Sequence, residues 1–172
     1  MKYLNILIML SCLIPFSCRN DIPLKTVPEV NIEKYMGKWY EIATIPQKFQ
    51  KGCNCTTAEY TLINNKYVKV INTCRKDSAL GKINKIEGKA FTTKNSAKLK
   101  VQFFWPFKAK YWIIDLDKNY TYAVVGHPNR KYLWILSRTP QMEKKIYSEI
   151  IERLKLQKYN TDLLVKTNQD CE

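Results

Sequence analysis

The side chains with the most chemistry to offer in this 172-residue chain are six cysteines and one histidine. Cys53-Asn54-Cys55 is a close pair of the kind found in redox and metal sites, while Cys74 and Cys171 stand apart from it. Structural zinc needs four nitrogen or sulfur ligands held together. A second close pair is missing and His127 is the single histidine, so no metal site is expected. As disulfides, Cys53, Cys55, Cys74 and Cys171 allow three pairings, and structural disulfides are the expected use. His127 lies between Gly126 and Pro128, as a surface turn residue rather than an axial haem ligand. Glu41, Glu59, Glu87, Asp115 and Asp117 are scattered, and no acid–base pair is supported by their spacing. No catalytic residue and no cofactor are therefore expected.

Disulfides persist in oxidising compartments, and the start of the chain argues for export to one. Met1-Lys2-Tyr3 precedes an apolar run from Leu4 to Phe16, the form of a signal peptide, and the run is short for a bilayer span. It ends at Ser17-Cys18, a small residue before a cysteine, as lipoprotein signal peptidase requires. Cys18 is the expected lipidated first residue. Pro15 and Phe16 depart from the usual lipobox, so a soluble protein cut near Ser17 and an uncleaved anchor stay open; Cys12 has too short an apolar run before it. The expected division is a signal over 1–17, a tether over 18–31 containing Pro23 and Pro28, and one domain over 32–172. The tether would hold that domain off a membrane. The formal charge of +14, of which Lys2 supplies one unit, favours anionic partners. Export and the lack of any nucleic-acid motif exclude nucleic acid, leaving lipid headgroups or a merely solvated basic surface.

The elements that would position these residues are short alternating stretches bounded by turns, the pattern of an antiparallel sheet. Eight are expected: Lys38–Ile45, Cys55–Ile63, Lys66–Cys74, Ile83–Thr92, Ala97–Trp105, Tyr111–Leu116, Tyr120–Gly126 and Tyr132–Arg138. Asn64-Asn65 and Lys94-Asn95-Ser96 supply hairpin turns. The fifth stretch alternates most cleanly, which points Val101 and Phe103 with Leu99 to a dry face. The eighth is apolar on both faces and needs a cover. After Thr139-Pro140, read as a cap and first-turn proline, Met142, Ile146, Tyr147, Ile150, Ile151 and Leu154 fall on one helix face and supply it. Leu163 to Lys166 is a candidate closing strand. The expected fold is all-β, an eight-stranded antiparallel up-and-down barrel with one C-terminal helix packed outside, able to hold one small ligand.

Six ordered blocks carry a resemblance: GKWYEIATIPQKFQKG at 37–52, TAEYTL at 57–62, KVIN at 69–72, IEGKA at 86–90, YAVVGHP at 122–128 and YLWILSRTP at 132–140. The chain resembles the lipocalin family from Val30 to Cys171, and within it the bacterial outer-membrane lipoproteins and the apolipoprotein D-like group. The resemblance implies that Gly37, Trp39 and Arg138 plug the closed end, with the guanidinium over the indole. It also implies that Tyr60, Asn72, Trp112 and Trp134 line a ligand pocket, beside Val101 and Phe103 from the alternation. It pairs Cys55 with Cys171, which leaves Cys53 with Cys74; an exchange of Cys53 and Cys55 stays open. Lys108 and Lys110 are expected in a loop at the open mouth. The implied function is binding of fatty acids or lysophospholipids, for storage or transport, by a protein anchored through Cys18 on the periplasmic side of the outer membrane; a lipocalin-type enzyme and a purely structural envelope lipoprotein are the alternatives. Self-association as a homodimer is left open.

Overall fold

The computed structural model describes residues 22–63 and 67–171. The signal region, Cys12, Cys18 and the Asn64-Asn65 turn lie outside the described residues.

One helical turn, α1 (Ile32–Tyr35), precedes strands β1 (Gly37–Thr44), β2 (Cys53–Ile63), β3 (Tyr67–Lys76), β4 (Ile83–Phe91), β5 (Lys98–Phe104), β6 (Phe107–Leu116), β7 (Tyr122–Gly126) and β8 (Leu133–Ser137). A helix, α2 (Lys144–Leu156), and a short strand, β9 (Val165–Lys166), follow. Neighbours in sequence pair antiparallel from β2 through β8, β8 pairs β1, and β1 pairs β2, so the eight strands close into a barrel.

The closing strand β1 serves three partners. Gly37–Tyr40 face β2, Tyr40–Thr44 face β8, and Ala43–Thr44 also face β9. Where β1 and β2 diverge, the C-terminal tail fills the seam: Thr167 N–H donates to Ile42 O at 3.0 Å and Cys55 N–H donates to Asn168 O at 2.8 Å. The Gln169 side chain then bridges the two walls, donating to Glu41 O and Thr56 O, both at 2.8 Å.

Two disulfides fasten this region. Cys53 joins Cys74 across the β2–β3 ladder, with Cα atoms 5.4 Å apart, and Cys55 joins Cys171 with Cα atoms 6.0 Å apart. This is the pairing implied by the family resemblance.

Apolar side chains separate into an inner core within the barrel and an outer layer beneath α2. Ile150 and Leu154 of α2 are buried, and Met142, Ile146, Tyr147 and Ile151 pack beside them, as the helical spacing predicts. The helix begins later than Pro140, with Glu143 as its cap residue. Thr139 is not the cap, because its hydroxyl donates to Gln141 O at 2.6 Å and turns the chain before the helix starts.

Three expectations change once the chain is folded. Residues 22–31, expected within a tether, are docked: Leu24 and Val30 are buried, and Val27 N–H donates to Ile113 O at 3.1 Å. Leu24 packs in the outer layer beneath α2, whereas Val27 and Val30 pack against the inner core. Strand β6 starts at Phe107 rather than Tyr111, because the connection at Trp105-Pro106 is tight enough for both strands to continue to it. Lys108 and Lys110 therefore sit in β6, where Lys108 Nζ lies 4.2 Å from the Phe91 ring centre, and not in a loop.

Candidate ligand-binding site

The strand order fixes two unlike ends. At one end, β1 begins and β8 finishes, and here Trp39 is completely buried with its indole N–H donating to Tyr35 O at 2.9 Å. Arg138 covers it, the guanidinium carbon 3.7 Å from the ring centre. Its nitrogens donate to Lys38 O at 2.9 Å and Lys34 O at 2.8 Å, which holds the cation over the ring face. Gly37 adopts φ +89°, and a Cβ there would meet Arg138 Nη1 at 3.4 Å, so a side chain would be strained and would crowd the guanidinium. Gly37, Trp39 and Arg138 are thus brought together as a plug.

Above the plug lies a polar floor that the sequence reading did not single out. Tyr111 shares hydrogen bonds with Tyr35 and Tyr60, each 2.8 Å between hydroxyl oxygens. Burial raises all three phenols, Tyr60 to about 12 and the other two well above their ordinary value, so they remain protonated. Three hydroxyls carry three protons and two mutual bonds use two, which leaves one O–H to donate elsewhere.

The inner wall follows from the registers. Tyr60 opposes Val70, Asn72 opposes Ala58 and Ile86, Val101 opposes Ala90, and Trp134 opposes Val125. Phe103 also packs on the inner core, and Gly88 makes room for it: a Cβ there would lie 2.6 Å from the Phe103 ring. Tyr60, Asn72, Val101, Phe103 and Trp134 therefore share one interior. Trp112 does not. Its neighbours Tyr111 and Ile113 belong to the inner core, so strand alternation turns Trp112 outward, where Lys98 Nζ lies 4.5 Å from its ring centre. This corrects the expectation that Trp112 lines the pocket.

Burial along that wall is graded. Tyr60, Val68, Val70 and Leu99, toward the plug, are buried, whereas Asn72, Val101, Phe103 and Trp134 are half-buried and Ile86 is 36% exposed at the other end. The interior is thus reached from the end opposite Trp39. Two shallow clefts of about 420 and 320 Å³ lie on the outer surface, one beside Lys34 and Arg138, the other beside Cys55 and Cys171. Neither includes the inner-wall residues.

A buried polar network supports the mouth. Glu41 opposes Leu136 and faces inward, accepting from Gln50 Nε2 at 2.8 Å and from Thr167 Oγ1 at 2.6 Å. Gln50 in turn accepts from the Trp134 indole N–H at 3.0 Å, so the network fixes one wall of the candidate pocket. No sequence signal links these groups, since Glu41 and Thr167 are 126 positions apart. Asn72 Oδ1 and Thr56 Oγ1 are buried without a hydrogen-bond partner among the described residues, an unfavourable state that a ligand N–H or O–H would relieve.

Burial raises the Glu41 carboxyl, with the bonds from Thr167 and Gln50 acting in the opposite sense. A raised acid makes its full contribution below its unfolded pKa and loses it as pH rises through the folded value. Wild type should therefore lose stability relative to Glu41→Gln as pH climbs from 4.5 past that raised value. Thermal melts of both proteins across this window check it; parallel pH profiles would show that Glu41 does not titrate differently on folding.

The other acidic candidates stay apart. Asp115 pairs with Arg153 at 2.7 Å on the outside, under α2, and the Asp117 side chain caps its own turn by accepting from Thr121. His127 sits in the turn after β7, as its neighbours predict.

Residues 30–169 match the family described as Lipocalin-like domain. The chain is 38% identical over 149 residues to the outer membrane lipoprotein Blc of Vibrio cholerae, covering 85% of this chain and 86% of that one. It is 36% identical over 152 residues to apolipoprotein D of Bos taurus, covering 83% and 73% respectively. The solved structure of insecticyanin from the tobacco hornworm superposes with a TM-score of 0.69 at 20% identity over 84% of each chain, a likeness of fold alone. The closed eight-stranded barrel, its Trp39–Arg138 plug and a family match spanning nearly the whole described domain together show that the chain belongs to the lipocalin family.

Proposed function

We propose that the barrel binds a single-chain lipid, a fatty acid or lysophospholipid, and stores or carries it without chemical change. The observation that carries this reading is the burial gradient along the inner wall, from sealed at Tyr60 to open at Phe103, Trp134 and Ile86. An acyl chain laid along that wall gains about 0.8 kcal/mol per buried CH₂. A long chain thus supplies ample drive after ordering costs are subtracted. The ligand's polar end would lie toward the mouth, where the free hydroxyl of a lysophospholipid would donate to Asn72 Oδ1.

The same proposal places the protein at the outer membrane, facing the periplasm, with Cys18 acylated after removal of residues 1–17. The lipoprotein character of the Vibrio cholerae relative supports this, as does the sequence around Cys18. The paired cysteines agree with an oxidising compartment.

Native mass spectrometry tests the reading. Residues 19–172, which contain every contact described above, are purified oxidised, delipidated and offered fatty acids, lysophospholipids and diacyl phospholipids. One-to-one retention of a single-chain lipid is expected. Phe103→Asp, which sets a charge in the acyl path, should weaken it at least about tenfold. If nothing binds while both disulfides are intact, the interior is a side-chain-filled core and the protein is a structural component of the envelope.

A further inference from the structure

The large apolar side chains that the fold leaves exposed are distributed unevenly. Phe104, Trp105 and Phe107, at the β5–β6 hairpin, are 69%, 86% and 77% exposed. Phe49 of the β1–β2 connection, Leu80 of the β3–β4 connection and Ile83 at the start of β4 are exposed with them. In an antiparallel barrel β1, β3 and β5 all finish at one end, so these three connections share the open mouth. Among the described residues, the plugged end has no comparably exposed large apolar side chain.

The same mouth is basic. The β1–β2 and β3–β4 connections carry Lys48, Lys51 and Lys82, with Asp77 the acid among them, and Lys76 ends β3 beside them. Lys85 and Lys108 flank them on β4 and β6. The plugged end is basic as well, with Lys34, Lys38, Lys94, Lys98, Lys118 and Arg138, but it also carries Glu29, Glu33 and Asp117, and the exposed apolar side chains are what set the mouth apart. An apolar rim with a tryptophan at its tip and lysines behind it has the composition of a surface that enters the headgroup region of an anionic bilayer.

The path of the N-terminal segment agrees. Arg130, in the connection after β7, donates to Ile22 O, so the described chain starts at the mouth end before running to Asn31, whose N–H donates to the Tyr120 hydroxyl at 2.9 Å beside the plug. Cys18 precedes Ile22 by four positions, a reach of at most about 14 Å when extended.

We infer that the open mouth of the barrel is itself a membrane-docking surface, with Phe104, Trp105 and Phe107 inserting between the headgroups of an anionic bilayer while the surrounding lysines meet their phosphates. A lipid would then pass between bilayer and barrel without crossing water. The inference deepens the proposed lipid-binding function, yet it stands on exposure and charge rather than on occupancy of the interior.

Residues 19–172, lacking any acyl anchor, are mixed with phosphatidylcholine vesicles made with and without phosphatidylglycerol, and sedimented. Binding to the anionic vesicles is expected, weakened by salt. A variant carrying Phe104→Ser, Trp105→Ser and Phe107→Ser should lose it at least about tenfold, with circular dichroism and melting unchanged because these side chains are exposed. Lys48→Gln with Lys82→Gln should reduce the preference for phosphatidylglycerol. Absent binding by wild type, or equal binding by the serine variant, would overturn the inference. Concentration-dependent dimerisation abolished by the serine substitutions, without vesicle binding, would also overturn it and make the face a self-association surface. Lipid retention by native mass spectrometry separates the two claims. Retention without docking removes only this inference, and docking without retention removes only the proposed function.

Discussion

Trp39→Ala is expected to cost about 3–5 kcal/mol, the range for deleting a fully buried aromatic side chain. The indole has no exposed surface and packs on Tyr35 with ring centres 5.1 Å apart. Its N–H is bonded to Tyr35 O, and its other face carries the Arg138 guanidinium. Truncation removes the packing and leaves that cation over a void, so local collapse recovers little. At about 2–4 °C per kcal/mol for a domain of this size, melting should fall by about 6–20 °C. Urea denaturation under oxidising conditions gives the free energy. A loss below about 1 kcal/mol would show that the closed end refills without Trp39 and that the plug is not what secures it.

Removing Cys55–Cys171 through the double variant Cys55→Ser, Cys171→Ser should cost roughly 4–5 kcal/mol, because the bridge closes a separation of 116 residues. Removing Cys53–Cys74, with a separation of 21, should cost about 3 kcal/mol. The ordering matters more than either value. The longer bridge also fastens the tail whose Thr167 and Gln169 complete the seam between β1 and β2, so its loss frees the Glu41 network and the Gln50–Trp134 contact. Denaturation of both double variants measures the two costs. If the shorter bridge proved the more important, seam closure would have to survive release of the tail.

The eight strands, the outer helix and the closing strand were legible because each has local periodicity. Alternation put Val101 and Phe103 on the inner wall, and the spacing from Met142 to Leu154 turned α2 toward the barrel. The plug was legible through resemblance, since Gly37, Trp39 and Arg138 stand in recognisable blocks. Trp112 was misplaced because a one-residue change of parity reverses a strand residue's face, and that parity is fixed by pairing with β5 and β7. Lys108 and Lys110 were placed in a loop because an apolar–polar string beside proline does not reveal how tight the turn is. Residues 22–31 read as a tether because three apolar anchors among prolines form no periodic element, and only the barrel wall gives them something to pack against.

By itself the sequence determined the alternating strands, the amphipathic helix, the cysteine supply and the excess of basic charge, all of which depend on neighbours a few positions apart. Only the tertiary structure decided the tyrosine floor, the Glu41–Gln50–Trp134 and Glu41–Thr167 contacts, the seam filled by the tail, and the gathering of Phe49, Leu80, Trp105 and Phe107 at one end. Those groups come from distant parts of the chain, and closure of the barrel is what brings them within hydrogen-bond reach or onto a common surface.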